Sequence, residues 1–333
     1  MVNIKPALSN MSKIDMNIQI VRSSKVKLSS MSQVSALAIL DVLQKNYTNA
    51  GITIVDNPDD LQVLVDQKPD LIFLGMQYVM DDDNDSKVWI SNFLEAHDIA
   101  YTGSKQCAHV LGLKKHKAKK AMVKAGVQTS PYLVVKCNDG PVQSLDGMVF
   151  PMFVKPTSEG GGAGIDNNSV VNNIEELRSK IKSLAHNNWA DSLVEQYLTG
   201  REFSVAVIKD KKTNELIAMP IELVTLPDEN GISILSRSVK SSNEESVLEV
   251  TNTEIHSKIS SLAIEAFHAL GARDYGRIDI RMDNNGVPHF LEANLTPSLI
   301  KGYGSFPKAC LLNQEIEYEP MILRIVNLAI ARI

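Results

Sequence analysis

Short apolar runs alternate with helix-like spacing of apolar residues over the first hundred positions of this 333-residue chain. A short apolar run predicts a strand, and apolar residues three or four positions apart predict an amphipathic helix. The predicted strands are residues 17–21, 51–55, 71–74 and 99–101, and the predicted helices are residues 31–47, 59–66 and 88–96. Strands and helices that alternate in this order are typical of a parallel sheet flanked by helices.

The pattern becomes mixed after residue 104. A lysine-rich helix is predicted over residues 104–125, with Gly126 as the residue that ends it. Further strands are predicted at residues 149–154, 192–196, 202–208 and 216–223, and further helices at residues 174–184 and 253–270, the last with Thr253 as its N-cap. Residues 227–245 are polar and weakly patterned, which indicates a mobile loop.

A β-hairpin is predicted over residues 277–294, because Asn284-Asn285-Gly286 separates two alternating runs. Successive side chains of a strand point to opposite faces, so every second residue shares a face. The sets that share a face are Arg277, Asp279 and Arg281 on the first strand and Phe290, Glu292 and Asn294 on the second.

Pairing of these strands can bring Asp279, Glu292 and Asn294 together as oxygen ligands. Magnesium prefers such donors and usually takes one or two carboxylates together with phosphate oxygens and water. Arg277 beside them could neutralise charge on a transferred phosphoryl group. An exposed hairpin face with ordinary polar residues would have the same spacing, so both interpretations remain open on spacing alone.

A glycine-rich segment follows Lys155-Pro156. Its glycines are Gly160, Gly161, Gly162 and Gly164. Backbone N–H groups in such a segment can fold over phosphates, and a lysine at the end of the preceding strand can hold a phosphate as a point charge. The segment matches neither the Walker A pattern nor the Rossmann pattern, and a flexible surface turn is the alternative.

The composition narrows the class of protein. The net charge of −5 argues against a nucleic-acid-binding protein with a basic face. Cys107, Cys137 and Cys310 contain no CxxC pair, so neither a disulfide framework nor a zinc site is indicated, and we expect a reduced, cytoplasmic setting. No apolar run reaches the length of a membrane span, and the N-terminus lacks the apolar core of a secretory signal.

Seven blocks of residues resemble the ATP-grasp ligases, and specifically the D-alanine–D-alanine ligase branch, in their order and spacing between residues 101 and 297. The blocks are Tyr101-Thr102-Gly103-Ser104, Lys114-Lys115, Val154-Lys155-Pro156, Val194-Glu195-Gln196-Tyr197-Leu198, Gly200-Arg201-Glu202-Phe203, Gly276-Arg277-Ile278-Asp279 and Leu291-Glu292-Ala293-Asn294-Leu295-Thr296-Pro297. Lys119 and Gly126 also lie at the expected offsets.

The resemblance implies an α/β fold, α+β in part, in the three-part ATP-grasp arrangement. Residues 1–104 would form a parallel α/β domain, residues 105–198 a central subdomain with the glycine loop, and residues 199–333 a C-terminal subdomain with the metal hairpin. ATP would lie between the last two, residues 227–245 would act as a lid, and the chain would form a homodimer.

The resemblance also implies roles for single residues. Lys115, Lys155 and Lys240 would contact the ATP phosphates, with Gly160 and Gly164 in the loop above them. Glu195, Tyr197 and Leu198 would hold the adenine, and Glu202 the ribose. Asp279, Glu292 and Asn294 would bind Mg²⁺, for which Mn²⁺ can substitute. Arg277, Lys240, Gly161 and Gly162 would be catalytic residues.

The implied reaction joins a carboxylate to an amine. A carboxylate is a poor electrophile, so ATP would first convert it into an acyl phosphate, and the amine would then displace phosphate. Two anions must approach each other in the first step, and lysines, an arginine and metal ions can screen them. We expect no covalent intermediate on the enzyme, and we expect the cysteines to be structural.

The segments that would face the substrate depart from the family pattern. Residues 21–32 contain no acid where the family has Ser-x-Glu, Leu74-Gly75-Met76-Gln77 replaces a His-Gly pair, Gly161-Gly162 replace two serines, and residues 298–305 also differ. The acidic run 81–85 begins like an EF-hand loop, but Ser86 and Asn92 break that pattern, so a solvated loop is predicted, or else a contact with a cationic substrate.

We therefore expect an amino-acid ligase that need not use D-alanine. A D-alanine–D-alanine ligase of cell-wall synthesis and a non-catalytic ATP-binding protein are the alternatives. A protein kinase is disfavoured, because the sequence has neither a His-Arg-Asp nor an Asp-Phe-Gly element.

Overall fold

The structure is a computed structural model that describes residues 12–25, 28, 31–136, 142, 144–158, 164–186, 191–225 and 246–333. The chain divides into two compact units, Met1–Thr102 with Arg332–Ile333, and Gly103–Ala331. The first division lies close to the predicted boundary at residue 104. The further division of the second unit at residue 198 stays a prediction.

The first unit contains a parallel four-stranded sheet in the order β2-β1-β3-β6. Its strands are β1 (Ile14–Arg22), β2 (Tyr47–Ile54), β3 (Leu71–Leu74) and β6 (Ala100–Tyr101), and its helices are α1 (Gln33–Asn46), α2 (Asp59–Asp66) and α3 (Ile90–Ala96). Ile72 and Leu74 of β3 pack in one buried cluster with Leu61 of α2 and Leu94 of α3. The predicted alternation of strands and helices around a parallel sheet is confirmed.

A hairpin between β3 and α3 was not predicted. Strands β4 (Tyr78–Asp81) and β5 (Ser86–Trp89) pair antiparallel, and the acidic run forms the turn between them. The prediction that α3 begins at residue 88 is wrong by two residues, because Val88 and Trp89 pair with β4 instead.

The second unit begins with two helices, α4 (Gln106–Leu113) and α5 (Lys115–Ala125). The prediction of one continuous helix over residues 104–125 is wrong. Lys114 leaves the helical conformation, with φ −98° and ψ 88°, and the backbone N–H of Lys115 donates to Thr157 O over 2.9 Å. The end of α5 is as predicted, with Gly126 in the left-handed conformation at φ 75°.

A small antiparallel sheet follows in the order β7-β10-β8-β9. Its strands are β7 (Tyr132–Lys136), β8 (Met152–Pro156), β9 (Val170–Val171) and β10 (Asp191–Gln196), and α6 (Ile174–His186) packs on it. Leu177 and Leu184 of α6 are buried against Val154 and Val194 of the sheet. The strand predicted from residue 149 begins three residues later, at Met152.

The remainder of the second unit is built on an antiparallel sheet in the order β13-β12-β11-β14-β15. The strands are β11 (Glu202–Lys209), β12 (Leu216–Val224), β13 (Ser246–Glu249), β14 (Tyr275–Met282) and β15 (Pro288–Asn294), and the helices are α7 (Thr253–Ala269), α8 (Ser305–Gln314) and α9 (Tyr318–Ile330). The side chain of Asn252, and not the predicted Thr253, caps α7 by accepting from the Ile255 N–H.

One face of this sheet is apolar and packs against α7. Phe203 and Ile280 from the sheet and Ala263 and Phe267 from α7 are fully or almost fully buried in that core. Because side chains alternate along a strand, the residues next to these core positions, Glu202, Ser204, Asp279 and Arg281, point to the other face. Among the described residues, no helix combines the length and apolarity that crossing a bilayer would require.

Candidate active site

A pocket lies between the small sheet and the face of the five-stranded sheet that carries Glu202 and Asp279. The small-sheet side contributes Ser130, Phe153, Lys155, Ile165, Glu195, Gln196, Tyr197 and Leu198, and the larger sheet contributes Glu202, Asp279, Arg281, Leu291 and Glu292. Seven of these were singled out from the sequence as site residues: Lys155, Glu195, Tyr197, Leu198, Glu202, Asp279 and Glu292.

The register of β11, β14 and β15 fixes which polar side chains are neighbours. The directly opposed pairs are Glu202 and Arg281, Ser204 and Asp279, Asp279 and Glu292, and Arg277 and Asn294. Opposed residues of antiparallel strands share a face, with Cβ atoms about 4.5–5.5 Å apart. The predicted metal ligands and Arg277 are therefore neighbours on one face of the sheet.

The predicted face for Phe290 is wrong. A β-bulge interrupts the register between β14 and β15, so that Phe290 pairs with Ile280 in the core whereas Glu292 pairs with Asp279. Leu291 is the extra residue, and it lines the pocket. The segment before β7 secures the bulge, since the Phe290 N–H donates to Gln128 O over 2.9 Å and Thr129 Oγ1 donates to Phe290 O over 2.9 Å.

Arg277 and Asp279 form a bidentate ion pair. Arg277 Nε and Nη2 donate to the two carboxylate oxygens over 2.9 and 2.8 Å, and Ser204 Oγ donates to Asp279 Oδ1 over 2.9 Å. Burial alone would lower the pKa of Arg277, but the charges of Asp279, Glu292 and Glu202 outweigh it and raise that pKa. Arg277 therefore stays a cation beside the predicted metal ligands.

Glu195 lies between two lysines. Its Oε1 is 2.6 Å from Lys119 Nζ and its Oε2 is 2.5 Å from Lys155 Nζ, and all three side chains are almost fully buried. Burial favours the neutral acid, but the two ammonium groups outweigh it and lower the pKa of Glu195 to about 2. Burial also opposes the charge on Lys155, whose pKa is nevertheless raised by Glu195 and Glu292.

This triad changes the expected picture of Glu195. Its carboxylate holds the two lysines, so contact with an adenine would fall to its backbone and to the neighbouring residues. Lys119 was noted in the sequence only as an expected offset, and its role depends on a tertiary contact that no local pattern encodes.

Lys115 stands at the first position of α5, directly after the break at Lys114. Its Nζ lies 3.4 Å from Glu292 Oε2, which links this helix to β15. The break thus places a predicted phosphate-binding lysine next to a predicted metal ligand.

Aromatic and apolar side chains form another part of the pocket. The rings of Phe153 and Tyr197 are nearly parallel, with centroids 6.4 Å apart and planes at 23°. Leu198 is buried next to them, and Leu291 lines the pocket from the other sheet. Such a surface suits a planar heterocycle. Phe153 and Leu291 were not given roles from the sequence, because strand alternation does not show which side of a small sheet faces a ligand.

Gly164 is the described member of the glycine cluster. Its φ is +74°, and a Cβ there would lie 2.6 Å from Pro156 Cγ. The residue must therefore be glycine for the segment to pack against the proline that follows Lys155. The other predicted glycines, Gly160, Gly161 and Gly162, lie outside the described residues, as do Lys240 and the whole predicted lid at 227–245.

The donor set at Asp279 fits a magnesium ion. Asp279 and Glu292 supply two opposed carboxylates, and the amide of Asn294 lies on the same face, with its Oδ1 also accepting from the Thr296 N–H over 3.1 Å. In the described residues no cluster of three or more His, Cys, Asp or Glu side chains is arranged for a metal. Two carboxylates with an amide match the usual protein share of a Mg²⁺ site completed by phosphates.

Comparisons with known proteins show to which family the chain belongs. The family model for the D-ala D-ala ligase C-terminus matches residues 122–327, more than half of the chain. A D-alanine–D-alanine ligase of Geobacter sulfurreducens is 28% identical over 297 residues, covering 89% of this chain and 88% of that protein. A D-alanine–D-alanine ligase of Nitrosomonas eutropha is 26% identical over 303 residues, covering 89% and 90%.

Solved structures match over nearly the whole chain. The D-alanine–D-alanine ligase of Bacillus anthracis complexed with ATP has a TM-score of 0.72 at 19% identity, covering 95% of this chain and 98% of that chain. Another crystal structure of that ligase has a TM-score of 0.74 at 20% identity. These matches confirm three predictions: the resemblance, the fold class, and the enzyme class of an ATP-dependent ligase that forms C–N bonds. The chain belongs to the D-alanine–D-alanine ligase family and has the ATP-grasp fold.

Proposed function

We propose that this protein joins two D-alanine molecules through an amide bond, using ATP to activate the carboxylate of the first. The relatives named above support D-alanine over other amino acids, since they match along about nine tenths of both chains. The catalytic part of the proposal rests on one observation: Arg277, Asp279 and Glu292 are neighbours on one face of the sheet, with Lys115 and Lys155 beside them.

Different residues of the chain bind the adenine, the ribose and the phosphates of ATP. Phe153, Tyr197 and Leu198 offer the aromatic and apolar surface for the adenine, and Glu202 offers a carboxylate for the ribose. Lys115 and Lys155 hold the phosphates as point charges. The Lys119–Glu195–Lys155 triad fixes the ammonium of Lys155 before the nucleotide arrives. Binding of ATP therefore costs little further conformational entropy at this lysine.

Asp279, Glu292 and Asn294 would hold magnesium. When bound, the metal ion screens the negative charge of the transferred phosphoryl group and of the attacking carboxylate. Arg277 adds a fixed positive charge at the same place, where it can stabilise negative charge that develops on the phosphoryl group and later on the tetrahedral carbon.

The reaction then proceeds in two steps. A carboxylate oxygen of the first amino acid attacks the terminal phosphorus, and the bond to ADP breaks, which leaves an acyl phosphate. The amine of the second amino acid attacks the acyl carbon, loses a proton, and inorganic phosphate leaves. The described cysteines take no part: Cys107 lies on α4 outside the pocket lining, and burial raises the pKa of Cys310 to about 12.

A second candidate is a ligase for other amino acids. Residues 21–32 contain no acid where the family pattern has Ser-x-Glu, and Ser23 and Ser24 of this segment are hydrogen-bonded to Asp56, just after β2. Ser24 N–H donates to Asp56 Oδ1 over 2.8 Å and Ser24 Oγ to Oδ2 over 2.6 Å. That arrangement differs from the family pattern and favours a different substrate ammonium contact.

ADP release decides between these functions. The purified protein is incubated with ATP, Mg²⁺ and either D-alanine or a panel of D- and L-amino acids, and products are identified by mass spectrometry. We expect ADP release with D-alanine alone and a product of the mass of its dipeptide. Release only with another amino acid favours the second candidate, and ATP binding without release across the panel would favour a non-catalytic protein.

A further inference from the structure

Arg281 lines the pocket together with Tyr197, Leu198 and Glu202. Its guanidinium makes three described hydrogen bonds: Nη1 donates to Glu202 Oε2 over 3.2 Å, Nη2 donates to Tyr197 Oη over 3.1 Å, and Nε donates to Gly200 O over 3.2 Å. Arg281 is 9% exposed. All three partners belong to residues 197–202, the segment that runs from β10 into β11.

Hydrogen bonds other than those of Arg281 also hold the backbone of this segment. The Gly200 N–H donates to Met282 O over 3.0 Å, and the Met282 N–H donates to Arg201 O over 2.9 Å. A Cβ at Gly200 would lie 2.6 Å from the carbonyl oxygens of Met282 and Asp283, so the close approach requires glycine. Arg281 therefore orients side chains, Glu202 and Tyr197 in particular, on a backbone that other bonds already hold.

The strand register supports that role. Glu202 and Arg281 are directly opposed on β11 and β14, so the ion pair spans the shortest side-chain distance the sheet offers. The Arg281 guanidinium also lies over the Tyr197 ring, 5.0 Å from its centroid. One planar group thus fixes both the carboxylate expected at the ribose and the ring expected at the adenine.

We propose that Arg281 is a positioning residue that gives the protein its preference for ribonucleotides, by holding Glu202 ready to accept from the ribose hydroxyls. This inference rests on the proposed function, since it takes ATP as the ligand of the pocket. A carboxylate offers about four acceptor positions, so it can accept from Arg281 and from a hydroxyl together.

Orientation matters more than charge in this arrangement. The rigid fork of an arginine can hold a carboxylate, a phenol and a carbonyl at once, whereas a lysine provides a single mobile ammonium. A carboxylate that is already fixed loses less conformational entropy when it meets the ribose, and an ionised acceptor forms stronger hydrogen bonds than a neutral one.

Equilibrium binding of two nucleotides tests the inference. Dissociation constants for ATP and for 2′,3′-dideoxy-ATP are measured by calorimetry with the full chain, its Arg281→Met and Glu202→Gln variants, and the double variant. The unchanged protein should prefer ATP by about tenfold, the equivalent of one hydrogen bond to a charged group. Each single variant should lose most of that preference, and the double variant should lose no more than Glu202→Gln alone.

The chain offers a matched control. Arg201, directly before β11, and Glu222 on β12 form another Arg–Glu pair, with Arg201 Nε 2.7 Å from Glu222 Oε1, and neither lines the pocket. Arg201→Met should keep the tenfold preference. Should Arg281→Met fail to fold, Arg281→Lys serves instead, and its preference should fall between the unchanged protein and Glu202→Gln.

Two results would overturn the inference while leaving the proposed function intact. One is that the unchanged protein binds ATP and 2′,3′-dideoxy-ATP with equal affinity. The other is a full tenfold preference in a folded Arg281→Met or Arg281→Lys variant. Absence of ATP binding by the unchanged protein would instead contradict the proposed function itself.

Discussion

Arg277 donates two hydrogen bonds to the carboxylate of Asp279, its neighbour two residues along the same face of β14. In the proposed function one of these residues serves the phosphoryl group and the other the metal ion. Here the two charged side chains pair with each other, and the side chains of Lys155 and Glu195 also form an ion pair. The pocket thus keeps its buried charges paired, which avoids the large cost of an isolated buried charge.

Glu292 offers the most direct test of the metal site. Glu292→Gln removes one negative charge and leaves the shape of the side chain, so we expect ADP release to fall by roughly a hundredfold or more. Binding of Mn²⁺, followed by electron paramagnetic resonance in the presence of nucleotide, should weaken in parallel. Glu222→Gln changes the same residue type on β12 outside the pocket and should leave both measurements unchanged. Turnover near the unchanged level in Glu292→Gln would contradict the metal assignment.

Lys155 should matter for nucleotide affinity. Lys155→Met keeps most of the apolar stem and removes the ammonium, so ATP binding should weaken by roughly tenfold to a hundredfold, the range for a lost hydrogen bond between charged groups. The measurement is an ATP titration by calorimetry. The control is Lys136→Met on β7, where the lysine is exposed. An ATP titration of Lys155→Met that matches the unchanged protein would remove this lysine from the site.

Substitutions at Gly126 and Gly164 distinguish the cost of backbone strain from the cost of a steric clash. Gly126 and Gly164 have nearly the same φ, +75° and +74°, but a Cβ at Gly126 meets nothing within 4 Å, whereas one at Gly164 would meet Pro156 at 2.6 Å. Gly126→Ala should therefore cost about 1 kcal/mol of stability and leave ATP binding alone. Gly164→Ala should cost more, and it should weaken ATP binding because Pro156 directly follows Lys155. Equal effects of the two substitutions in thermal unfolding and ATP titration would contradict this.

His109 should make the protein sensitive to mild acid. Burial, with Arg273 nearby, lowers the pKa of His109 from 6.5 to about 4. Between these values the unfolded chain takes up a proton that the folded protein does not, so stability falls as the pH falls from about 6.5 towards 4. At pH 5 the loss from this group is about 2 kcal/mol.

Urea unfolding at pH 7.5 and pH 5 measures that loss. His109→Leu cannot take up a proton, so its midpoint should change less between the two pH values than that of the unchanged protein. The pH 7.5 measurement gives the packing cost of the substitution by itself. An identical change in both proteins would mean that His109 does not contribute to the acid sensitivity.

Much of the fold follows from local patterns in the sequence. The spans of α2 and β3 match their predicted bounds, because each combines a clear apolar pattern with a clear stop signal. The break between α4 and α5 escaped prediction, because residues 104–125 are all compatible with a helix and the cause is a bond from Lys115 to Thr157, far along the chain. The β4–β5 hairpin was missed because its turn is an acidic run without the usual glycine.

The sequence predicted several of the residues that line the pocket, but not their contacts. The alternation along β14 correctly placed Arg277 and Asp279 on one face, since nothing interrupts that strand. The roles of Lys119 and Arg281 depend on partners 76 and 79 positions away in the sequence, Glu195 and Glu202. Such long-range ion pairs leave no periodic signal, so only the folded chain reveals them.

The bulge at Leu291 changes which positions of β15 face the interior. Before it, even-numbered positions belong to the interior; after it, they belong to the ligand side, and this is why Phe290 and Glu292 can be two residues apart and yet face opposite ways. If Leu291 instead paired regularly opposite Asp279, Glu292 and Asn294 would point into the core and Ala293 would point to the ligand side. The chemistry of this strand therefore depends on its pairing register as much as on the identity of its side chains.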